Sequence, residues 1–243
     1  MALEPIIILN GIFAIVLVLI YIFVGIKIAL RYRVNREKTY IFFGLTWVGM
    51  VEAWYASSVS FIIALFNGVG LPPAIYFIIG VGFYPVSSIL WMLAFSELLY
   101  KERQKILVSI FIVIGIIYEI IFYSLLIKDP SLIAVKLSPV DAQYGLLITI
   151  YVILILSTTF LVTGFIIAIR SVKSNVPEHK LRGIFLIIAI ISFFIASFID
   201  SIVELTVITL TITRLILISS AVEFYCGFIL PKWIKKVFLK VEK

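Results

Sequence analysis

The apolar residues of this chain fall in long continuous blocks, and the polar ones collect in short stretches between them. Blocks at 5–30, 39–66, 73–100, 106–127 and 143–169 each meet the roughly 20 residues that a helix needs to cross a bilayer core. A membrane barrel would alternate apolar and polar positions, so continuous blocks predict helices. Asn67-Gly68 and Leu71-Pro72-Pro73 end the second block as turn signals, and Pro85 predicts a kink inside the third. Residues 101–105 make a tight basic turn. The longest loop is 128–142, with Pro130 and Pro139, and 170–182 is polar and contains Pro177.

Residues 183–230 form a further block, apolar almost throughout yet carrying Asp200, Glu204, Arg214 and Glu223. As one straight helix it would measure roughly 70 Å, about twice a bilayer core, so it must fold back on itself. A reversal near 205–209 makes it two spans. Asp200 then precedes the turn by about six residues and Arg214 follows it by about six, which sets both roughly 8–10 Å below one membrane face. An acid and a base at one depth on adjacent helices predict a buried ion pair. The pattern predicts an all-α polytopic membrane protein of seven transmembrane helices. Residues 1–243 form a single domain, with a short basic tail at 231–243.

Composition agrees. The chain of 243 residues is 63% hydrophobic and 14% charged, against about 45–50% and about 25% in soluble domains. No soluble catalytic or DNA-binding domain fits in the loops. The net charge of +7 is spread between apolar spans, so it predicts membrane orientation and not nucleic-acid binding. The first block lacks Lys or Arg before it, carries Glu4 there, and is too long for a cleaved signal. A single Cys226 excludes an intramolecular disulfide, and a single His179 excludes a histidine-rich metal centre. No cofactor is expected.

Basic residues set the orientation. Arg31, Arg33, Arg36 and Lys38; Lys101, Arg103 and Lys105; Arg170, Lys173, Lys180 and Arg182; and Lys232, Lys235, Lys236, Lys240 and Lys243 all fall on one side. Lys128 and Lys136 fall on the other. The positive-inside rule then predicts the N-terminus outside and the C-terminus inside, in a plasma membrane.

Ionisable groups within spans are functional candidates. Glu52 lies about 13 residues into the second span and Glu119 about eight from the outer end of the fourth, so both share the middle-to-outer depth of Asp200. Gly49, Glu52, Tyr55 or Ala56, and Ser60 share one helix face; so do Gly115, Glu119 and Tyr123, and so do Ser192, Ala196, Asp200 and Glu204. Small and polar faces turn towards a bundle interior. Two readings stay open. One is an outer-half site for a cationic or proton-linked ligand, built from Glu52, Glu119, Asp200 and Arg214 with Tyr84 and Trp91. The other is a set of interhelical hydrogen bonds and packing contacts. Glu223 is nine residues from Arg214, on the opposite side of its helix, and cannot pair with it. Glu97 lies a turn from Lys101 and is expected to pair at the interface. Tyr100 and Trp233 are expected as interfacial anchors.

The predicted topology resembles that of rhodopsins and G-protein-coupled receptors, but their residues are missing. The seventh span holds no retinal lysine, the third ends Glu97-Leu98-Leu99-Tyr100, and the seventh ends Cys226-Gly227-Phe228-Ile229-Leu230-Pro231. With the exit Leu230-Pro231-Lys232-Trp233, the chain resembles the N-terminal seven-helix sensor regions of prokaryotic histidine kinases. That resemblance implies a sensor that signals through a separate cytoplasmic protein, since no kinase is present. The expected function is a receptor-like sensor, with a small proton- or cation-coupled transporter or channel as the alternative. Catalysis ranks behind both, because no nucleophile–base pair is visible. The expected partners are membrane lipid, a cytoplasmic signalling protein, and a small-molecule or cation ligand.

Overall fold

A computed structural model describes residues 3–203 and 206–239; Glu204, Lys240 and Lys243 lie outside the described residues. The chain is mostly helical. Its elements are α1 (Pro5–Leu30), α2 (Tyr32–Asn35), α3 (Thr39–Gly49), α4 (Glu52–Asn67), α5 (Pro73–Val81), α6 (Tyr84–Leu99), α7 (Gln104–Lys128), β1 (Ala134–Ser138), β2 (Asp141–Tyr144), α8 (Leu146–Ile150), α9 (Thr158–Val172), α10 (Pro177–Ile202), α11 (Val207–Ile229) and α12 (Lys232–Leu239). Among the described residues, six helical stretches are long and apolar enough to cross a membrane. A seventh is added if the pair α3 and α4, bent by 48°, counts as one span. This is a multi-pass integral membrane protein.

The contacts divide the chain into two compact units, 1–158 and 159–243. In the first, α1 packs on α3 and α4, α3 on α6, and α6 on α7. Small residues bring α1 and α3 together: a methyl group added at Gly44 would lie 2.5 Å from the Gly25 carbonyl oxygen. In the second unit α10 and α11 form an antiparallel hairpin. Thr206 caps α11, accepting the Thr209 amide while its own amide donates to the Thr209 hydroxyl. Gly183 lets α10 approach α9, since a methyl there would meet the Ala168 carbonyl oxygen at 2.6 Å. The Phe160 ring packs among Phe193, Phe194 and Phe224.

Three details depart from the sequence pattern, and a fourth, the interruption of the third block, falls where Pro85 predicts a kink. The block 39–66 is not one helix but breaks at Met50 and Val51. The block 73–100 breaks at Gly82 and Phe83, and Pro85 sits in the first turn of α6, just beyond the break. Proline has no amide to donate four residues back, so the helix opens ahead of it. The loop 128–142 is partly a two-stranded antiparallel hairpin running to Tyr144, and the fifth block starts only at Leu146. Its stretch Tyr151–Ser157 is a π-helix, whose wider turn no hydropathy pattern marks.

The β-hairpin is fastened to one end of the first unit. Lys136 Nζ donates to the carbonyls of Val69 (3.1 Å) and Leu71 (2.6 Å) and lies 5.4 Å from the Tyr76 ring centre. Partial burial lowers the Lys136 pKa, since the ammonium loses hydration there. Ser60 Oγ donates to the Pro139 carbonyl and accepts the Leu71 amide. The turn beneath it needs glycine: Gly68 and Gly70 have φ of 73° and 81°, and Asn67 Oδ1 accepts the amides of Val69 and Gly70.

Candidate functional site in the first unit

The two helix breaks lie against each other. Gly49, the last residue of α3, faces Ser87 in α6 so closely that a methyl group there would collide with Ser87 Oγ. A broken helix frees backbone groups that a hydrocarbon environment cannot satisfy. Here side chains take them up. At the first break Tyr55 Oη donates to the Val48 carbonyl at 2.8 Å. At the second, the Val81 carbonyl is the one that Pro85 cannot reach, and Tyr118 Oη of α7 donates to it at 2.8 Å. The Phe83 amide, off the helical ladder, donates to Glu52 Oε1 at the start of α4.

Glu52 is therefore a backbone partner as well as a buried acid. It is 3% exposed, and its Oε2 has no hydrogen-bond partner among the described residues. Tyr84, next in sequence to Phe83, is buried as well. Glu119 of α7 is half-buried and lies near enough to Glu52, Tyr118 and Tyr151 for its charge to act on all three. Its Oε2 also lacks a partner among the described residues. The rings of Tyr118 and Tyr151 meet at 4.3 Å, and Tyr151 Oη lies 2.8 Å from Ser88 Oγ. The π-helix begins at Tyr151.

Among the residues singled out by sequence, Glu52, Glu119 and Tyr84 come together in this unit. Trp91 does not join them; its ring packs edge-on against Phe43 at 5.2 Å. On α7 the inward line is Gly115, Tyr118 and Phe122, while Tyr123 is 40% exposed. Of the expected line through Gly115, Glu119 and Tyr123, only Tyr123 turns outward, and Tyr118 was missed. Its signal was available: a proline at 85 frees the carbonyl at 81, which needs a donor from a neighbouring helix.

Asp200 and Arg214 belong to the second unit. Arg214 Nη1 lies 2.6 Å from Asp200 Oδ1, with the arginine side chain 3% and the aspartate 16% exposed. The bridge joins α10 to α11 near their turn. Glu223 Oε1 accepts from Ser219 Oγ at 2.7 Å, on its own helix, and Oε2 has no partner among the described residues. Glu97 pairs with Lys101 at 2.8 Å and accepts from Gln104. Among the described residues no group of three or more His, Cys, Asp or Glu is placed to hold a metal ion.

At the end of the first unit away from the β-hairpin, a cleft of about 790 Å³ is lined by Arg36, Lys38, Thr39, Glu97, Lys101 and Gln104, among others. None of Glu52, Glu119, Tyr84 or Trp91 lines it.

No protein-family model matches this chain, and no curated protein or solved structure matches it. Its chemistry rests on its own residues.

Proposed function

We propose that this membrane protein is a receptor-like sensor of a proton or small cation, with Glu52 as the receiving group. One observation carries the reading: a carboxyl 3% exposed holds the Phe83 amide with one oxygen and leaves the other without a partner among the described residues. A lone carboxylate in hydrocarbon is costly until it is neutralised. A proton needs no cavity, and rings packed as closely as Tyr118 on Tyr151 favour so small a ligand.

Neutralising Glu52 weakens its bond to Phe83, because a charge-assisted hydrogen bond is about twice as strong as a neutral one. The bond spans a break, so its strength bears on the angle between α5 and α6. Helix α6 ends at Leu99, beside the cleft of Arg36, Lys38 and Lys101. In this reading those basic loops carry the output to a separate cytoplasmic signalling protein. The reading takes α3 and α4 as one bent span and sets seven spans in a prokaryotic plasma membrane, N-terminus outside. The bias of Lys and Arg supports that orientation. The likeness to kinase sensor regions belongs to the same proposal.

A specific observation also favours a coupled transporter or channel: the bend between α3 and α4 and the break between α5 and α6 meet at a buried acid, and many transporters build midplane sites from interrupted helices. One experiment separates the readings. The protein is reconstituted in vesicles holding a pH dye, with spin labels at Arg36→Cys and Lys101→Cys in a Cys226→Ala background. A sensor changes the distance between the labels with pH and passes no protons. A transporter passes protons or exchanges them for a cation. In either case Glu52→Gln abolishes the response; a response that survives the substitution removes Glu52 from the function.

A further inference from the structure

Helix α11 ends at Leu230, whose φ of 49° is left-handed, and Pro231 forbids its continuation. The chain turns there into α12. At 100° per residue, Trp233, Val237, Ile234 and Phe238 fall within an arc of about 140°, and Lys235, Lys232 and Lys236 within one of about 100° opposite it.

The protein itself claims only part of this helix. Ile234 is buried against Leu181, Cys226 and Leu230. Phe238 touches the Phe185 ring edge-on at 5.9 Å. Lys235 Nζ lies 2.6 Å from Glu178 Oε2, which ties α12 to the first turn of α10. That leaves Trp233, Val237 and Phe238 exposed by 58%, 66% and 58%, beside exposed Lys232 and Lys236.

An apolar strip bordered by lysines, in a chain that spans a membrane, fits the boundary between acyl chains and headgroups. Trp rings settle at that level, and lysines beside them meet phosphate. Charge decides between occupants. A second copy docking here in a symmetric contact would set the same lysines against each other, which is repulsive. An anionic lipid surface complements them. We propose that α12 lies flat on the membrane as an anionic-lipid contact, with Trp233, Val237 and Phe238 in the interface and Lys232 and Lys236 on headgroup phosphates. The proposal stands whether the protein senses or transports.

The test uses the full chain in vesicles of fixed composition, mostly phosphatidylcholine with a minority of phosphatidylglycerol. The acyl bromine quencher is carried by one lipid or by the other. Subtracting the signal of Trp233→Phe isolates Trp233 from Trp47, Trp54 and Trp91. Brominated phosphatidylglycerol is expected to quench Trp233 beyond its bulk share, with a local enrichment of about fivefold for one lysine in contact and more for two. Lys232→Gln with Lys236→Gln is expected to remove that preference, whatever quenching remains. Quenching by each lipid in proportion to its bulk share overturns the proposal. Quenching by neither overturns it too and assigns the strip to protein, and so does a preference that persists without the two lysines.

Discussion

Glu52 and Phe83 join two interrupted helices: a carboxylate oxygen at the start of α4 accepts the amide that the break before α6 sets free. The bond makes one side chain both a structural tie and the most deeply buried acid of its unit. Substitutions separate the two roles. Glutamine at 52 keeps an oxygen for the Phe83 amide, whereas alanine leaves that amide unpaired. Glu52→Ala is expected to destabilise the protein in detergent by about 1–3 kcal/mol, the penalty of a buried unsatisfied group, and Glu52→Gln by clearly less. Melting temperatures read the order directly. Equal losses would mean that the Phe83 bond contributes nothing.

Tyr118 and Pro85 offer a second test, through the Val81 carbonyl. In the wild type the Tyr118 hydroxyl is the donor to that carbonyl, because Pro85 has no amide to offer. Tyr118→Phe should therefore cost about 1–3 kcal/mol. In a Pro85→Ala background the amide of residue 85 becomes available, and Tyr118→Phe should cost much less. A double-mutant cycle on thermal unfolding measures the coupling. Strict additivity would show that the hydroxyl is not there to satisfy the break.

Six long apolar helices were legible because hydrocarbon imposes length and apolarity on every helix that crosses it. The Asn67-Gly68 turn and the basic turn at 101–105 followed from local chemistry. The break at Met50 and Val51 was not legible: no proline or paired glycine marks it, and its freed Val48 carbonyl is met by Tyr55 one turn into the next helix. The π-helix at Tyr151 was hidden for a similar reason, since it leaves hydropathy unchanged. Depth along the helices brought Glu52 and Glu119 to one level, but depth does not choose a face. The choice fell on Tyr118, whose ring and hydroxyl both find partners inside the unit.

Asp200 and Arg214 form the corresponding tie in the second unit. Removing one member of a buried pair leaves the other uncompensated, at a cost of about 3–5 kcal/mol. The 16% exposure of Asp200 favours the lower end of that range. Asp200→Asn and Arg214→Gln should each lower the melting temperature, and the double variant should lose less than their sum. Additive losses would show that the two charges act independently.

The central claim is that Glu52 receives a proton within the membrane domain. Infrared difference spectroscopy on the protein in lipid, titrated with pH, tests it most directly. The account predicts a protonated-carboxyl C=O band that grows as pH falls and is missing in Glu52→Gln. A titrating band that survives Glu52→Gln at full amplitude would contradict the account.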